Sequence, residues 1–544
     1  MDSLVTPAGT TGTRSPSATV LRIGVLVDRP DHLENWQLRI IDRILKDNRF
    51  CLASILVSPA PADRGEASKL LQLAFRLERS TLGRQPRYHP KHFSLADLPF
   101  EPVHSRVCDG SGQKLDLVLC LSDGGLNEPA IADLRFGEWH FSFSPHASSG
   151  ADWFGYAGVI ERSPVTEMHI EVRRDGAATG SILATAAFNT KFSAVRNGDF
   201  IKERAVTLLM RELRRLADTG RMELVRPRPE TKEAPRPPTG RQLARYAATL
   251  SRNLFARAVE AVQAKLGKDA AAWALYVGDG NPQDFDPRTA LPVTSLGDEI
   301  RADPFLIEHE GQTYVFYEAL EPGQTKAHIA VGRLIGNTLE RLGVALKCDH
   351  HLSFPFVFRH DGQLFMMPET NQARRLEIWR CTEFPLRWEL HSSALEGLSS
   401  ADSTLTLFRG RWWLFTNISD FHAYEDHCSE LHLFEVDGPD LKRVVPHRHN
   451  PVVIGSSVAR NGGRPFEHAG KLFRPSQRNE HGIYGYGLNI MEIEQLDLET
   501  YRERCLRTIE PDFAPGLMAC HHLDAAAGRY VIDVLPGRLP GSPR

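Results

Sequence analysis

The stretch ADPFLIEHEGQTYVFYE, residues 302–318, returns as SFPFVFRHDGQLFMMPE (353–369) and ADSTLTLFRGRWWLFTN (401–417). Aligned on Gly311, Gly362 and Gly410, the copies lie 51 and 48 residues apart. Eight residues before each glycine stands Asp303, Phe354 or Asp402, and seven after it Glu318, Glu369 or Asn417. Each copy reads as a hairpin: an apolar strand, a tight turn with Gly where φ > 0 is wanted, then an aromatic strand. A fourth copy, GRPFEHAGKLFRPSQ (463–477), puts Gly470 at the turn and Gln477 seven residues later, with a shorter or bulged first strand.

Working outward, further strand-like runs follow each hairpin (HIAVGRL, LEIWRC, ELHLFEV, GLNIMEIEQL). Four short strands per repeat of this length are the mark of a propeller blade rather than a sandwich. A fifth blade assembles from HHLDAAAGRYVIDV (521–534) together with WALYV (273–277), which pairs the two ends of the ring and removes its open edges. The expected fold of residues 268–537 is an all-β five-bladed propeller.

The first half has another character. VLRIGVLV, CLASILVS and LDLVLCLS are strand-length apolar runs; ENWQLRIIDRILKDN and the stretch near 201–217 carry apolar residues at helical spacing. Alternation of this kind predicts a parallel α/β sheet over residues 19–220. A Pro-rich, charged linker (RPRPETKEAPRPPTG, 226–240) and a helix over 241–266 fill 221–267, and polar tails are expected at 1–18 and 538–544. The chain is thus read as multidomain, α/β and then all-β.

Composition narrows the function classes. With 65 Lys+Arg against 68 Asp+Glu, the net charge of −3 argues against a nucleic-acid footprint. No apolar run reaches the length of a membrane span. The eight cysteines are scattered with no Cys-x-x-Cys spacing, which suggests reduced, mostly buried thiols and a cytoplasmic setting. His447 and His449 lack a third ligand at metal spacing, so neither a metal nor another cofactor is expected.

Equivalent positions in successive blades face one axis. The repeat therefore brings Asp303 and Asp402 to one inner register, and Glu318, Glu369, Asn417 and Gln477 to another. Converging carboxylates are what glycosidic-bond chemistry requires, one ionised and one protonated. The competing reading is that they cap strand ends between blades. Arg460, Asn461, Arg464, Arg474 and Gln477 form a polar, cationic group suited to gripping a phosphate or carboxylate. His521 and His522 are further candidates for sugar hydroxyls or proton transfer. Of Trp412 and Trp413, on opposite faces of a strand, one is assigned to the core and the other to stacking on a sugar.

The motifs ADPF (302–305), MPE (367–369), ADST (401–404), GGRPF (462–466), FRPSQ (473–477) and YGYG (484–487) resemble the N-terminal domain of plant glucosamine inositolphosphorylceramide transferases. That domain is similar to the five-bladed propellers of family-43 glycoside hydrolases and fructan-active enzymes. The resemblance implies Asp303 as base or nucleophile and Asp402 as the carboxylate that holds the sugar or stabilises charge. The general-acid Glu of those enzymes comes from a later blade, where this chain offers Arg464, Arg474 and Gln477; Glu369 is the substitute. The first domain resembles the formyltransferase fold through its strand–helix order and GEWHFSFSPHASSGADWFGYAGVIERSPVTEMHI (137–170). The catalytic Asn-x-His positions of those enzymes read His140 and Ser142 here, with His146 in shifted register. This implies a degenerate Rossmann-like domain that binds or positions a partner.

The leading expectation is a carbohydrate-active protein that cleaves or transfers glycosyl units, furanosyl among them, in polysaccharide or glycolipid assembly. Asp303, Asp402 and Glu369 are its catalytic residues, and Arg460, Arg464, Arg474, Gln477, His521, His522 and Glu318 bind substrate. Its expected partners are a glycan, glycolipid or nucleotide sugar. The alternatives are a non-catalytic glycan-binding scaffold, and an N-formyltransferase acting on an amino sugar with the propeller as specificity module.

Overall fold

The computed structural model describes residues 20–30, 33–58, 69–83, 103–104, 114–122, 125–126, 128–143, 155–174, 180–227, 238–265, 272–295, 297–419 and 426–537. The first part is mixed α/β. In chain order it runs β1 (Leu21–Val27), α1 (Asn35–Lys46), β2 (Phe50–Val57), α2 (Lys69–Leu82), β3 (Val103–His104), β4 (Leu117–Cys120), α3 (Glu128–Ala132) and β5 (Glu138–Phe143). Then follow α4 (Tyr156–Glu161), β6 (Val165–Arg173), β7 (Ser181–Asn189), α5 (Ala194–Thr219), β8 (Arg226–Pro227) and α6 (Gly240–Lys265).

The eight strands form one sheet in the order β3-β2-β1-β4-β5-β6-β7-β8. The pairings among β1 to β5 are parallel, and β5-β6-β7-β8 are antiparallel. The expectation of a parallel sheet therefore holds for only part of it, because β6 and β7 join as a hairpin without a crossover helix. One face packs Trp139, Phe141, Phe143, Ile170 and Val172 against Ile40, Ile44, Ile201 and Leu209 of α1 and α5. α1 begins where the Glu34 N–H donates to the Gln37 side chain (2.8 Å), satisfying a donor the helix leaves over. α6, placed in the linker by sequence, lays Tyr246, Leu243 and Leu250 on Phe75 and Tyr156. Its Tyr246 hydroxyl donates to the buried Glu78 (2.8 Å).

The second part is a five-bladed propeller. Blade 1 has strands Ile300–His309, Gln312–Leu320, His328–Ile335 and Thr338–Leu346; blade 2 has Ser353–His360, Gln363–Glu369, Leu376–Glu383 and Arg387–Ala394. Blade 3 follows with Ser400–Phe408, Arg411–Ile418, Glu430–Val436 and Val444–Pro446, and blade 4 with Phe466–His468, Lys471–Arg478, Gly487–Leu496 and Tyr501–Ile509. Blade 5 joins Leu523–Ala526 and Arg529–Pro536 to Ala274–Asp279 and Leu291–Pro292. The ring is closed by strands from both ends of the propeller, as the sequence implies. The first hairpin of every blade turns on two left-handed residues: Glu310–Gly311, Asp361–Gly362, Arg409–Gly410, Ala469–Gly470 and Ala527–Gly528. That is the turn whose twist matches the strands, and glycine takes its second position without a Cβ penalty.

Seven cysteines are described, and among them there is no disulfide. Only Cys120 and Cys520 are buried, whereas Cys505 is exposed and the other four are partly buried, which corrects the expectation of mostly buried thiols. Among the described residues no helix is long and apolar enough to cross a membrane.

Candidate functional site

The inner strands of blades 1, 2 and 3 each break register near their start, between Ala302 and Phe305, Ser353 and Phe356, and Ala401 and Thr404. At each bulge one residue is left-handed: Asp303 (φ 49°), Phe354 (φ 45°) and Asp402 (φ 44°). Such a conformation costs on the order of 1–3 kcal/mol for a residue with a side chain, so the surroundings must hold it. They do so through the neighbouring blade. The Asp303 N–H donates to Asp533 (3.0 Å), the Phe354 N–H to Asp303 (3.2 Å) and the Asp402 N–H to Glu369 (3.3 Å). In blade 4 the Asn461 N–H donates to Asn417 (2.9 Å). The repeated polar residues therefore cap one another around the axis. They also bring several carboxylates to one end of it.

Around that end the charges sort into two groups. His521 stands between Asp303 and Asp533, with ring nitrogens 3.1 Å from each carboxylate, and packs on Trp273 (centroids 4.1 Å apart). Burial disfavours the imidazolium, but Asp533 and Asp303 outweigh it and push His521 up to about 10. Reciprocally, burial would raise Asp303, yet the hydrogen bond and charge of His521 hold it down at about 2. On the other side, Arg460 grips Asp402 with two donors, Nε to Oδ2 (2.6 Å) and Nη2 to Oδ1 (3.2 Å). Gln477 donates to the same carboxylate (3.0 Å), and the Tyr484 ring lies over the guanidinium. Glu369 sits 3.5 Å from Arg460. Even so, burial and the charge of Asp402 raise its carboxyl well above the ordinary range.

The other candidates divide clearly. Glu318 meets His351 at 3.3 Å, and burial together with Asp303 raises its carboxyl. His522 is fully buried between Phe305 and Phe354, and burial lowers its imidazole. Arg464 spends its donors on Asp524 and on the Leu306 and Val357 carbonyls, tying blades 5, 1 and 2 together. Arg474 is fully buried, and its donors go to Glu503, Asn461 and the Ala459 and Val458 carbonyls. Both arginines were expected to bind substrate; the structure gives them inter-strand partners instead. Of the two tryptophans, Trp413 is core. Trp412 packs at the hairpin-turn end beside His360 and Gly438, away from the carboxylates. The GGRPF motif has a steric cause, since a Cβ on Gly463 would meet the Leu523 carbonyl at 1.9 Å.

Sequence reading did not single out Asp533, Tyr484 or His351. Asp533 lies in the strand that closes blade 5, and Tyr484 within the YGYG motif; both signals were present without an assigned role. Metal-ligand geometry also arises where spacing did not suggest it. Asp303, His521 and Asp533 offer ligand atoms within 4.8 Å of one another, as do Cys120, Glu138 and His140 in the first domain. There His140 bonds Glu138 (2.7 Å), and Cys120 lies opposite it on the adjacent strand. His447 and His449 bond each other, the His449 N–H donating to the His447 ring (3.0 Å). Ser142 lies on β5, whereas His146 falls outside the described residues.

The propeller and its polar end agree with one group of known sequences. Residues 289–512 match the family described as glucosamine inositolphosphorylceramide transferase 1, N-terminal. The rice (Oryza sativa subsp. japonica) glucosamine inositolphosphorylceramide transferase 1 is 35% identical over 251 residues, 44% of this chain and 33% of its own length. The Arabidopsis thaliana protein of the same name is 36% identical over 215 residues, 39% of this chain and 28% of its own. The chain thus spans about a third of the length of the curated relatives it matches. The resemblance read from ADPF, ADST and GGRPF is borne out for this region. Among solved structures, a family 117 glycoside hydrolase of Zobellia galactanivorans aligns with TM-score 0.33 and 10% identity, over 49% of this chain and 91% of its own. An alpha-L-arabinofuranosidase from Lactobacillus brevis aligns with TM-score 0.31 and 15% identity, over 42% of this chain and 80% of its own.

Proposed function

We propose that the polar end of the propeller cleaves or transfers a glycosyl unit during glycolipid or polysaccharide assembly. Asp303 is the base or nucleophile and Glu369 the acid. Asp402, held by Arg460 and Gln477, faces the positive charge that develops on the sugar. The observation that carries this reading is the opposite treatment of two neighbouring carboxylates. Asp303 is kept ionised by His521, while burial and Asp402 push the Glu369 carboxyl toward its protonated form. Pairs driven apart in this way mark acid and base assignments in glycosidic chemistry. The relatives' printed name supports an inositolphosphorylceramide as the acceptor class and glucosamine as the transferred group; a nucleotide sugar as donor is part of the proposal. The scattered cysteine spacing in the sequence supports a cytoplasmic setting.

A second reading rests on the inter-blade caps. Asp533, Asp303, Glu369 and Asn417 each accept a backbone N–H from the next blade, which a non-catalytic glycan-binding propeller would equally need. The first domain, formyltransferase-like in this proposal, then positions the acceptor. The test is to incubate the chain with inositolphosphorylceramide and labelled sugar nucleotides, and separately with aryl furanosides. Product in either assay, lost in Asp303→Asn, supports the enzyme. Micromolar glycan binding with no product supports the scaffold.

A further inference from the structure

Away from the carboxylates, β7, α4, α6 and the propeller loop at 481–482 enclose a cleft of about 560 Å³. Its lining includes Arg162, Lys191, Arg252, Arg257 and His481, and no Asp or Glu among the described residues. In a chain of net charge −3 that is a marked local excess of one sign. Elsewhere arginines are answered by carboxylates, as Arg460 by Asp402 and Arg474 by Glu503. Among the described residues, the four permanent cations of the cleft form no salt bridge. Lys191 feels the charge of Asp426, which is itself 3.8 Å from Arg204. Arg257 stacks on Phe192 (4.2 Å), which fixes where its guanidinium stands. Arg162 occupies the left-handed position that ends α4 (φ 54°), where glycine is the usual residue.

Like charges gathered around a concave surface repel one another, and a bound anion relieves that repulsion. The volume falls within the ordinary range for small-molecule sites, roughly 300–1,000 Å³. The Ser163 hydroxyl and the Thr249 and Asn253 side-chain oxygens supply neutral polar groups to the same walls, suited to accepting from hydroxyls. We propose that this cleft binds a phosphorylated polyol, its phosphate gripped by Arg252 and Arg257, either free in solution or as the headgroup of a phospholipid. The cleft floor is firm: Asn189 accepts from the Gly482 N–H (2.7 Å) and donates to the Ile483 carbonyl (3.0 Å). The loop it clamps also carries Tyr484, whose ring covers Arg460 and neighbours His521. An anion in the cleft therefore sits on the segment that roofs the carboxylate site.

The test is calorimetric titration of the full chain with inositol 1-phosphate, with neutral myo-inositol as control, alongside sedimentation with phosphatidylcholine vesicles containing or lacking phosphatidylinositol. Arg252 and Arg257 are exposed on α6, so the Arg252→Gln/Arg257→Gln variant keeps the fold, which its thermal melt verifies. Saturable binding of inositol 1-phosphate that weakens by at least about tenfold in the variant supports a soluble ligand. Binding only to vesicles with phosphatidylinositol, lost in the variant, supports a lipid headgroup. Inositol 1-phosphate and the vesicles both binding no better than their neutral controls, or binding the variant equally well, overturns the proposal. Asp303→Asn must leave this binding intact, so failure of the glycosyl reading and failure of this one are separable.

Discussion

Arg204 of α5 donates to Glu430 of blade 3 at 3.0 Å, and both side chains are buried. Thr207 donates to the same oxygen (3.0 Å), so the α/β part is joined to the propeller through a buried, charged contact. The contact lies near the carboxylate site. The segment leading to Glu430 includes Cys428, which touches Arg460, and the Ser456 N–H donates to the Ala187 carbonyl four residues before Arg460. The His481 N–H likewise donates to the Pro164 carbonyl, three residues before Tyr484. The first domain thus buttresses three loops that shape the carboxylate site.

Removing one partner of a buried ion pair leaves the other charge uncompensated, at a cost of roughly 3–5 kcal/mol. Glu430→Ala is expected at the lower end, about 3 kcal/mol, because Asp426 remains near Arg204. Urea unfolding checks it. The wild type should melt with both domains coupled, and the variant should show separate transitions. An unchanged midpoint would show that the contact carries no stability.

The linker region 226–240, of which 228–237 lie outside the described residues, is the expected site of limited proteolysis. Cleavage there leaves fragments of roughly 220 and 300 residues, since Pro-rich exposed connections are where nicking concentrates. The interface just described adds a second expectation: the nicked fragments co-elute on size exclusion at neutral pH. Resistance to cleavage there, or first cuts within 300–480, would contradict the division into two modules.

The propeller was legible because its repeat sits in the chain at a fixed spacing and its turns need glycine. Asp303 and Asp402 could be placed in one register for the same reason. What could not be read was partner choice. Arg464 and Arg474 look, as residue types, like phosphate grips, and only the fold shows their donors spent on Asp524 and Glu503. His521 depends on Asp533, twelve residues further on, which reaches it only when the hairpin of Leu523–Ala526 and Arg529–Pro536 has formed. The antiparallel half of the first sheet was missed because apolar runs such as those of β6 and β7 give no strand direction.

The first domain is expected to show no folate-dependent formyl transfer to amino sugars or methionyl-tRNA. Formyl transfer needs an amide and an imidazole at the oxyanion. On the proposed resemblance those places would fall to His140, bonded to Glu138, and Ser142. A turnover above about 1 s⁻¹ in a standard formyl-donor assay would overturn this.

Asp303→Asn keeps shape and removes charge, so activity on any glycoside the wild type turns over should fall by ~10²–10⁴-fold. Glu369→Gln should fall comparably, and Glu318→Gln less, since its repeat equivalents Asn417 and Gln477 are uncharged. Asp402→Asn carries a sharper signature. Asp402 raises the Glu369 carboxyl, so its removal lowers that pKa. An acid must be protonated to work, so the alkaline limb of the rate profile should move to lower pH in Asp402→Asn. A limb that stays in place removes Glu369 from the acid role.

The last expectation concerns stability against pH. His521 is raised to about 10 in the folded chain, chiefly because Asp533 and Asp303 overcome the burial that would lower it. An unfolded histidine titrates near about 6.5. A raised pKa means the folded state holds the proton more tightly, so this contribution is complete below about 6.5 and is lost as pH rises toward about 10. Asp303 behaves in the opposite sense. Held at about 2, it stabilises above the ordinary aspartate value of about 3.9 and loses that contribution as pH falls toward 2. Melting temperature should therefore decline on both flanks of neutrality. His521→Gln should be less stable at pH 7 and flatter on both flanks, because it removes the proton held on one side and the partner that keeps Asp303 ionised on the other. Parallel curves for variant and wild type between pH 7 and 10 would mean that His521 is neutral in the folded chain, and the ionised Asp303 would lose its main support.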